Sequence, residues 1–241
     1  MPTRRNEVSY YPEIQQFIEA QLKSNFRARH RRELEVFWGI GELKTNLQRI
    51  ITANPEKCAC ASAFAQRVPP LNLDIFALIT DGIKFELLIL EVKLMNSAGL
   101  KEWSQLVGYC LVSGAKYGLL VNIDNGASPR LAQILSTEDH LSHIKTIVND
   151  TNHEHCLGFM QWDSLTQNFE YSNLGLIRSL SELSNQLAAE FAEKSISRAV
   201  NHCPADFLRV ISYRLFFHDL QQYPGEITGR IYRHISNIHK R

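Results

Sequence analysis

The chain has 241 residues, 44% of them hydrophobic, and a formal net charge of +1. It is long enough for one large domain or a core with an appendage, and its near-neutral charge excludes a general polyanion binder with a uniformly basic surface. The first residues lack an apolar signal core, no apolar run reaches 18 residues, and the five cysteines form no regular framework. We therefore expect a cytoplasmic protein without a membrane segment.

The first predicted element is an amphipathic helix that begins at Tyr11-Pro12, since proline suits the first turn of a helix. Its apolar stripe comprises Ile14, Phe17, Ile18 and Leu22. Two acids, Glu13 and Glu19, flank this stripe. A dense basic cluster follows, which would either contact phosphates or form a solvated loop: Arg27, Arg29, His30, Arg31 and Arg32.

The next segment is less regular. Residues 35–40 indicate a short strand, residues 43–51 a helix, and residues 53–70 a polar connection. Glu42-Leu43-Lys44 has a Glu-x-Lys spacing, but we assign it to a helix with no apolar strand before it, where the side chains at i and i+2 diverge.

Two apolar runs, 71–79 and 85–93, bracket Asp81-Gly82. This pattern predicts a β-hairpin, because Asp-Gly supplies the positive φ angles of a tight turn. With a two-residue turn, Thr80 pairs with Ile83. A four-residue loop would keep the same alternation of side chains, whereas a three-residue loop would break it.

Three charged side chains fall at the end of this apolar hairpin. In the two-residue register Asp74 lies opposite Ile89, and Glu91 is its diagonal neighbour. Asp74, Glu91 and Lys93 then share a face, with the carboxylates roughly 7–8 Å apart. At an effective dielectric near 20 the two anions repel by roughly 2 kcal/mol, which Lys93 only partly offsets. Bound Mg²⁺ would remove the conflict, since oxygen ligands with room for water suit magnesium better than zinc or calcium.

Residues 100–111 predict an amphipathic helix. Lys101, Gln105 and Tyr109 fall at i, i+4 and i+8, so they share one face and could point toward the carboxylates. Residues 117–123 then predict a buried strand, which completes a strand–helix–strand crossover.

The ordered set of Asp74, Glu91-Val92-Lys93 and Gln105-x-x-x-Tyr109 resembles the PD-(D/E)xK nuclease superfamily. The Gln-x-x-x-Tyr element is similar to that of its RecB and lambda-exonuclease-like branch and of type I restriction subunits. The resemblance covers about residues 10–125 and departs at Leu73, where many members have proline. It implies an α/β, restriction-endonuclease-like fold: a mixed central sheet flanked by helices. The competing interpretation is a surface salt bridge on an ordinary α/β sheet.

The resemblance also implies roles for individual residues. Asp74 and Glu91 would ligate Mg²⁺, for which Mn²⁺ would substitute, and the Val92 carbonyl would be a further ligand. Lys93 would position the attacking water or help to deprotonate it. Gln105 and Tyr109 would orient Lys93 or a phosphate. A glutamate of the first helix often joins this metal site, and between Glu13 and Glu19 we choose Glu13, which lies nearer the stripe edge.

The remainder of the chain completes the sheet and then turns helical. We expect a helix from Ser128-Pro129 to Leu135 and strands at 144–148 and 156–162. Helices at 174–195 and 205–221 would form a helical C-terminal appendage. We divide the chain into a nuclease core, 1–170, and a helical region, 171–241, packed on the core or appended to it. Four histidines are expected at the surface: His140, His143, His153 and His155.

The predicted activity is metal-dependent hydrolysis of DNA by an endonuclease in restriction, repair, recombination or mobile-element biology. Expected DNA contacts are Arg27, Arg29, Arg31, Arg32, Lys101, Arg230 and Arg233. No Gly-x-x-x-x-Gly-Lys motif occurs, so any ATPase or targeting function would belong to a partner subunit, and a homodimer is equally open. The alternative is a catalytically silent nucleic-acid-binding or assembly protein, which would have no reason to bind magnesium.

Overall fold

The computed structural model describes residues 5–31, 33–148, 151–170 and 172–192. In this part of the chain the fold is α/β, with a mixed seven-stranded sheet in the order β1-β2-β3-β4-β6-β5, and β7 paired with β6. The strands are β1 (Glu35–Glu42), β2 (Asn72–Thr80), β3 (Phe85–Lys93), β4 (Tyr117–Ile123), β5 (His143–Val148), β6 (Thr151–Asp163) and β7 (Asn168–Glu170). The predicted mixed sheet with flanking helices is therefore confirmed.

Helices cover both faces of this sheet. They are α1 (Tyr11–His30), α2 (Leu43–Ala53), α3 (Pro55–Cys58), α4 (Ser62–Arg67), α5 (Leu100–Ser113), α6 (Pro129–Thr137) and α7 (Leu180–Ala192), with 3-10 turns at Glu7–Tyr10, Ala59–Ala61 and Asp139–Leu141. None of the helices in the described segments has the length and apolar character needed to cross a lipid bilayer.

Two apolar layers hold these helices against the sheet. In the first layer α2, α5 and α6 bury Leu47, Leu106 and Leu131 on one face. In the second, α1 and α7 bury Ile18 and Leu187 on the other. Helix α7, which belongs to the predicted C-terminal appendage, therefore shares a core layer with α1 and the sheet.

Strand direction brings the starts of several helices to one edge of the sheet. β1 is antiparallel to β2 and β2 is antiparallel to β3, so β1 and β3 run the same way, and β4 is parallel to β3. Each of these three strands is followed by a helix on the first face: α2, α5 and α6, respectively. All three helices consequently begin at the edge where β3 ends.

The hairpin has the four-residue loop that keeps the same alternation of side chains, rather than the two-residue turn. Thr80 pairs with Phe85, and the loop is the four residues Asp81–Lys84. The Thr80 hydroxyl donates to the Lys84 carbonyl at 2.6 Å, and the Asp81 carboxylate accepts from the Ile83 and Lys84 N–H groups at 3.0 and 2.9 Å. These side-chain hydrogen bonds stabilise the wider turn at the expense of the tighter one.

Three further expectations need correction. The connection at 53–70 contains α3 and α4 rather than irregular chain. Strand β6 begins at Thr151, so His155 lies within a strand, and it is buried, with Nδ1 2.8 Å from the Ala115 carbonyl. Glu42 ends β1 and caps α2, so a strand does precede the Glu-x-Lys decoy. Its carboxylate accepts from the Lys44 and Thr45 N–H groups at 3.0 and 2.7 Å.

Some predicted elements lie outside the described residues. These are the helix at 205–221 and the basic residues Arg32, Arg230 and Arg233. The predicted helix at 174–195 corresponds to α7, whose bounds are Leu180–Ala192.

Candidate metal centre

β2 is bulged against β1 next to Asp74. Gly39 of β1 pairs with Phe76, whereas Gly41 pairs with Leu73. β2 thus advances three residues where β1 advances two, and Leu73 and Phe76 both join the first apolar layer. A residue at 39 with a Cβ would place that atom 2.2 Å from Phe76 Cζ, so glycine is needed for the aromatic ring to cross β1 here. Such bulges redirect side chains at the ends of strands.

Asp74 lies beyond the last regular pair of the hairpin, Ile75–Leu90. Its Oδ2 atom accepts hydrogen bonds from the Val92 backbone N–H at 3.1 Å and from the Lys93 ammonium at 2.9 Å. Its neighbours therefore differ from the predicted partner, Ile89, which pairs with Phe76. The carboxylate is fixed against the carboxyl end of β3.

Lys93 draws the two acids together. Its Nζ atom is 2.9 Å from Asp74 Oδ2 and 2.6 Å from Glu91 Oε1. Those two oxygens are therefore at most 5.5 Å apart, the sum of 2.9 and 2.6 Å, which is closer than the expected 7–8 Å. At an effective dielectric near 20, two unit charges at that separation repel by about 3 kcal/mol.

Glu91 is the buried member of the pair, with 0% of its side chain exposed. Its Oε1 atom is paired with the Lys93 ammonium at 2.6 Å, whereas Oε2 has no hydrogen-bond partner among the described residues. Burying a carboxylate with so few donors is costly. The Oε2 atom is therefore available to a further ligand.

Burial, and then the charge on Asp74, raise the pKa of Glu91 from 4.5 to about 7, while Lys93 opposes both effects. Burial lowers the pKa of the Lys93 ammonium, but the attraction of Glu91 and Asp74 outweighs burial, and the net pKa is raised. Lys93 therefore stays protonated in this arrangement. That state suits positioning and charge neutralisation better than proton abstraction.

The donor set fits Mg²⁺. Magnesium is commonly held by one or two carboxylates, keeps several waters and takes further oxygens from a phosphate. Asp74 and Glu91 supply the carboxylates. The Val92 N–H points to Asp74, and because the N–H and C=O of an extended residue point to the same side of a strand, the Val92 carbonyl faces Asp74 too. In the described segments no group of three or more His, Cys, Asp or Glu side chains is arranged as metal ligands, so the two acids would be completed by a carbonyl and water.

Helix α5 brings Gln105 and Tyr109 to this cluster. Gln105 Nε2 donates to the Tyr109 hydroxyl oxygen at 3.0 Å. Burial raises the pKa of Tyr109; its hydrogen bond with Gln105 opposes this, and the nearby charges of Glu91 and Asp74 raise the pKa further. Tyr109 therefore remains a hydroxyl donor within the electrostatic field of the acids.

The start of α1 approaches the same cluster from the other face of the sheet. The Tyr11 hydroxyl donates to Glu7 Oε1 at 3.1 Å. Burial, then the charge on Asp74, raise the pKa of Tyr11, and Glu7 adds to the raised pKa of Glu91. Glu7 is thus an acid near the site that we did not predict. Its signal in the sequence is that it lies four residues before Tyr11, on the backward extension of the buried stripe.

The predicted metal ligand Glu13 has a different partner. Its Oε1 atom is 2.6 Å from the Arg5 guanidinium, and its Oε2 atom is buried without a hydrogen-bond partner in the described part of the chain. The acid of this region that acts on Glu91 is Glu7. Glu19, the other acid considered, accepts from Trp38 Nε1 at 3.0 Å.

The basic cluster lies at the opposite end of α1. Tyr11 and Arg27 are 16 residues apart in one helix, which corresponds to about 24 Å. Arg27 is 3.2 Å from Glu33, and Arg29 donates to Asn185 Oδ1 of α7 at 2.7 Å. Arg31 is exposed at the helix end. Lys101, by contrast, stands at the start of α5 with its side chain 80% exposed.

Comparisons with known proteins found no matching family model, no matching curated protein and no matching solved structure. The argument for function therefore depends on the arrangement of residues in this chain.

Proposed function

We propose that this protein is a Mg²⁺-dependent nuclease of the PD-(D/E)xK type, with Mn²⁺ able to substitute, that hydrolyses phosphodiester bonds in DNA. We place it in the cytoplasm, where the described free cysteines, Cys58, Cys60, Cys110 and Cys156, would stay reduced. A partner subunit would supply any ATPase or targeting function.

The observation that carries this proposal is the state of Glu91. The Glu91 carboxylate is fully buried, is paired with Lys93 through Oε1 at 2.6 Å, leaves Oε2 without a hydrogen-bond partner among the described residues, and lies within 5.5 Å of a second carboxylate (2.9 plus 2.6 Å). An ordinary surface salt bridge would be exposed and would not require a β-bulge. The same pair of acids is what a hard divalent cation needs.

When bound, Mg²⁺ would acidify an attacking water and stabilise charge on the phosphate and the leaving oxygen. Asp74 and Glu91, with the Val92 carbonyl, would hold the cation. Lys93, protonated between the acids, would orient the water and neutralise charge beside the scissile phosphate. Tyr109, held by Gln105, would orient Lys93 or donate a hydrogen bond to a phosphate oxygen.

The direct test is cleavage of plasmid and linear DNA with Mg²⁺, with Mn²⁺ and with EDTA. We expect cleavage with either metal, none with EDTA, and none from Asp74→Asn or Lys93→Ala. Glu42→Gln is the matched control, because it removes an acid of equal charge from the decoy Glu-x-Lys while leaving the metal centre intact. Equal cleavage by wild type and Asp74→Asn would indicate a contaminating nuclease and remove the support for this function.

Metal binding separates the proposed enzyme from a catalytically silent scaffold. Calorimetric titration with Mn²⁺ should show one class of site in wild-type protein that Asp74→Asn weakens and Glu42→Gln leaves unchanged. A chain that binds DNA but shows no site sensitive to Asp74 would instead be the silent nucleic-acid-binding protein.

A further inference from the structure

Strand β4 is buried along its whole length, and Asn122 is its one residue with an amide side chain. Asparagine is disfavoured in strands, and an amide without hydrogen-bond partners is costly in the interior. Asn122 is nevertheless 0% exposed. This residue type in this position therefore indicates a specific role for the amide.

The amide binds the backbone that follows Lys93. The Met95 N–H donates to Asn122 Oδ1 at 3.3 Å, and Asn122 Nδ2 donates to the Met95 carbonyl at 3.1 Å. Nδ2 also donates to the Gly126 carbonyl at 3.1 Å. The side chain thus uses both of its N–H donors, and it contacts Met95 at both backbone groups, as a neighbouring strand would.

Asn122 lies beside Lys93 in the sheet. Lys93, the last residue of β3, pairs with Asn122, and Glu91 pairs with Leu120. Neighbouring strands are about 4.8 Å apart, and residues paired across two strands lie on the same face. Asp74 contacts Lys93 from β2, on the opposite side of β3. Lys93 is therefore flanked by an acid on one strand and by Asn122 on the other.

The end of a strand is where pairing stops and the backbone is free to fray. Strand pairing holds the chain up to Lys93, and the Asn122 amide holds it again two residues later, at Met95. The Lys93 ammonium must reach two acids at once, with Nζ 2.9 Å from Asp74 and 2.6 Å from Glu91. Fixing the backbone on both sides of this lysine limits the positions that its ammonium can take.

The same amide is connected to the start of α5. The Gly126 carbonyl that accepts from Asn122 also accepts from the Ala98 N–H at 3.2 Å. Helix α5 begins two residues after Ala98 and carries Gln105 and Tyr109. The segments that follow β3 and β4 are thereby joined around one buried side chain.

We propose that Asn122 is a positioning residue of the metal centre, whose amide holds the chain at Met95 and thereby keeps the Lys93 ammonium between Asp74 and Glu91. For its effect on cleavage, this inference rests on the proposed nuclease function. Its effect on Lys93 can be measured without DNA. Asn122 acts through Lys93 and takes no part in the chemical step.

Thr80 supplies a matched control. It is also 0% exposed, and its hydroxyl donates to the Lys84 carbonyl at 2.6 Å and accepts from the Gly82 N–H at 2.9 Å. Thr80 ends β2, six residues beyond Asp74 (74 to 80) and so about 20 Å from it. Thr80→Val keeps the shape of the side chain and removes its hydrogen bonds, so it destabilises the fold without reaching the metal centre.

The first measurement is a pair of double-mutant cycles, followed by urea denaturation in EDTA. One cycle combines Asn122→Ala with Lys93→Met, and the other combines Thr80→Val with Lys93→Met. Lys93→Met should change the unfolding equilibrium constant at least about threefold less in the Asn122→Ala background than in wild type, because the lysine is no longer held at the acids. The control cycle should be additive, since its two sites are distant. Asn122→Ser, whose hydroxyl can keep one of the bonds, replaces Asn122→Ala where a thermal melt shows that the alanine variant does not fold.

The second measurement separates positioning from a general loss of structure. Asn122→Ala should lower kcat for plasmid cleavage about tenfold or more, because misplacing a catalytic group by about 1 Å can cost up to about a hundredfold. Calorimetric binding of Mn²⁺ should weaken by no more than about threefold, since the pairing at Ile75–Leu90 and Glu91–Leu120 still holds the strands that carry the two acids. Thr80→Val should leave kcat and the Kd for Mn²⁺ unchanged.

The outcomes separate the two proposals. Additive behaviour of Asn122→Ala and Lys93→Met, or equal losses of kcat in Asn122→Ala and Thr80→Val, would overturn the positioning role and leave the nuclease function in place. Loss of Mn²⁺ binding by folded Asn122→Ala would also overturn it, because the amide would then support the whole edge of the sheet rather than Lys93. A wild type that cleaves no DNA would refute the nuclease function, and the cycles in EDTA would still decide whether Asn122 holds Lys93.

Discussion

Glu91→Gln provides a test of the site that needs no substrate. The amide has nearly the shape of the carboxylate but does not ionise. In the folded protein Glu91 holds its proton up to about pH 7, whereas its ordinary pKa is 4.5. Between these values the folded state binds more protons than the unfolded state, so the stability of the metal-free wild type falls as pH rises. The variant lacks this loss.

The magnitude follows from the pKa difference. From 4.5 to about 7, at about 1.4 kcal/mol per pH unit, wild type loses about 3 kcal/mol relative to the variant. Replacing Glu91 also removes its attraction to Lys93, but that attraction is already contained in the pKa of Glu91, because Lys93 is protonated throughout this range. The comparison across pH, rather than at one pH, therefore isolates the buried carboxylate.

Urea denaturation in EDTA at pH 5 and pH 8 measures the effect. The advantage of Glu91→Gln over wild type should grow by about 2.5 kcal/mol between the two, since pH 5 lies half a unit above the ordinary pKa. Mg²⁺ at pH 8 should stabilise wild type, by about 2.7 kcal/mol at one hundred times its Kd, and the variant less. Parallel pH profiles of the two proteins would refute the reasoning, because Glu91 would then titrate as an exposed acid.

Glu42→Gln supplies a control in which the stability difference from wild type depends on pH with the opposite sign. Burial raises the pKa of Glu42, but hydrogen bonds from Thr45 and Lys44 outweigh it, and the net pKa is lowered from 4.5. The stability that this acid contributes is present above its ordinary pKa and is lost as pH falls through the lowered one. The variant should therefore be less stable than wild type at neutral pH, and the difference should shrink in acid.

The remaining predictions concern the decoy, the bulge and the tyrosine. Glu42→Ala should cost about 1 kcal/mol of stability through the lost helix cap yet cleave DNA at the wild-type rate; lost cleavage in folded protein would reassign the site. Gly39→Ala should destabilise by about 2 kcal/mol or more in denaturant, because its Cβ would meet the Phe76 ring; an unchanged midpoint would contradict the packing. Tyr109→Phe should lower kcat about tenfold without changing Tm, and full activity would exclude its hydroxyl from the site.

Local patterns were sufficient for the hairpin but not for its register. The apolar runs and the Asp-Gly dipeptide identify two strands and a turn. The length of the turn depends on whether Thr80 and Asp81 hydrogen-bond to the backbone of Ile83 and Lys84. Those contacts compete with a tighter turn by small energies, so a propensity for Asp-Gly alone does not decide between them.

The approach of the two acids depends on contacts between distant parts of the chain. Asp74 reaches Val92 and Lys93 because the β2–β3 register, which runs from Thr80–Phe85 to Ile75–Leu90, brings it beside the carboxyl end of β3. β2 also carries an extra residue against β1, next to the place where Gly39 admits the Phe76 ring. Neither strand alone indicates it. The burial of His155 could not be predicted from local sequence either. Its polar neighbours suggested a surface loop, whereas β6 pairs with β5 and β4, and the His155 ring is buried.

Unlike the approach of the two acids and the burial of His155, the position of Glu7 near the site could have been predicted from a local pattern in the sequence. It lies four residues before Tyr11, and Tyr11, Ile14 and Ile18 continue the buried side of α1. Following the stripe backward past Pro12 would have placed this acid on the core side. We began the helix at Tyr11-Pro12 and considered only the two acids that flank its stripe, Glu13 and Glu19.

The bulge in β2 also bears on how such a protein could change over generations. Leu73 and Phe76 fill the same apolar layer on either side of it, so Asp74 adds no side chain to that layer and is tied instead to Val92 and Lys93. Glu91, in contrast, reduces the stability of the metal-free fold. Selection for folding alone would thus favour a neutral side chain of similar shape in place of the Glu91 carboxylate. Under the proposed function, a lineage released from the need to cut DNA would lose this carboxylate early and keep the scaffold.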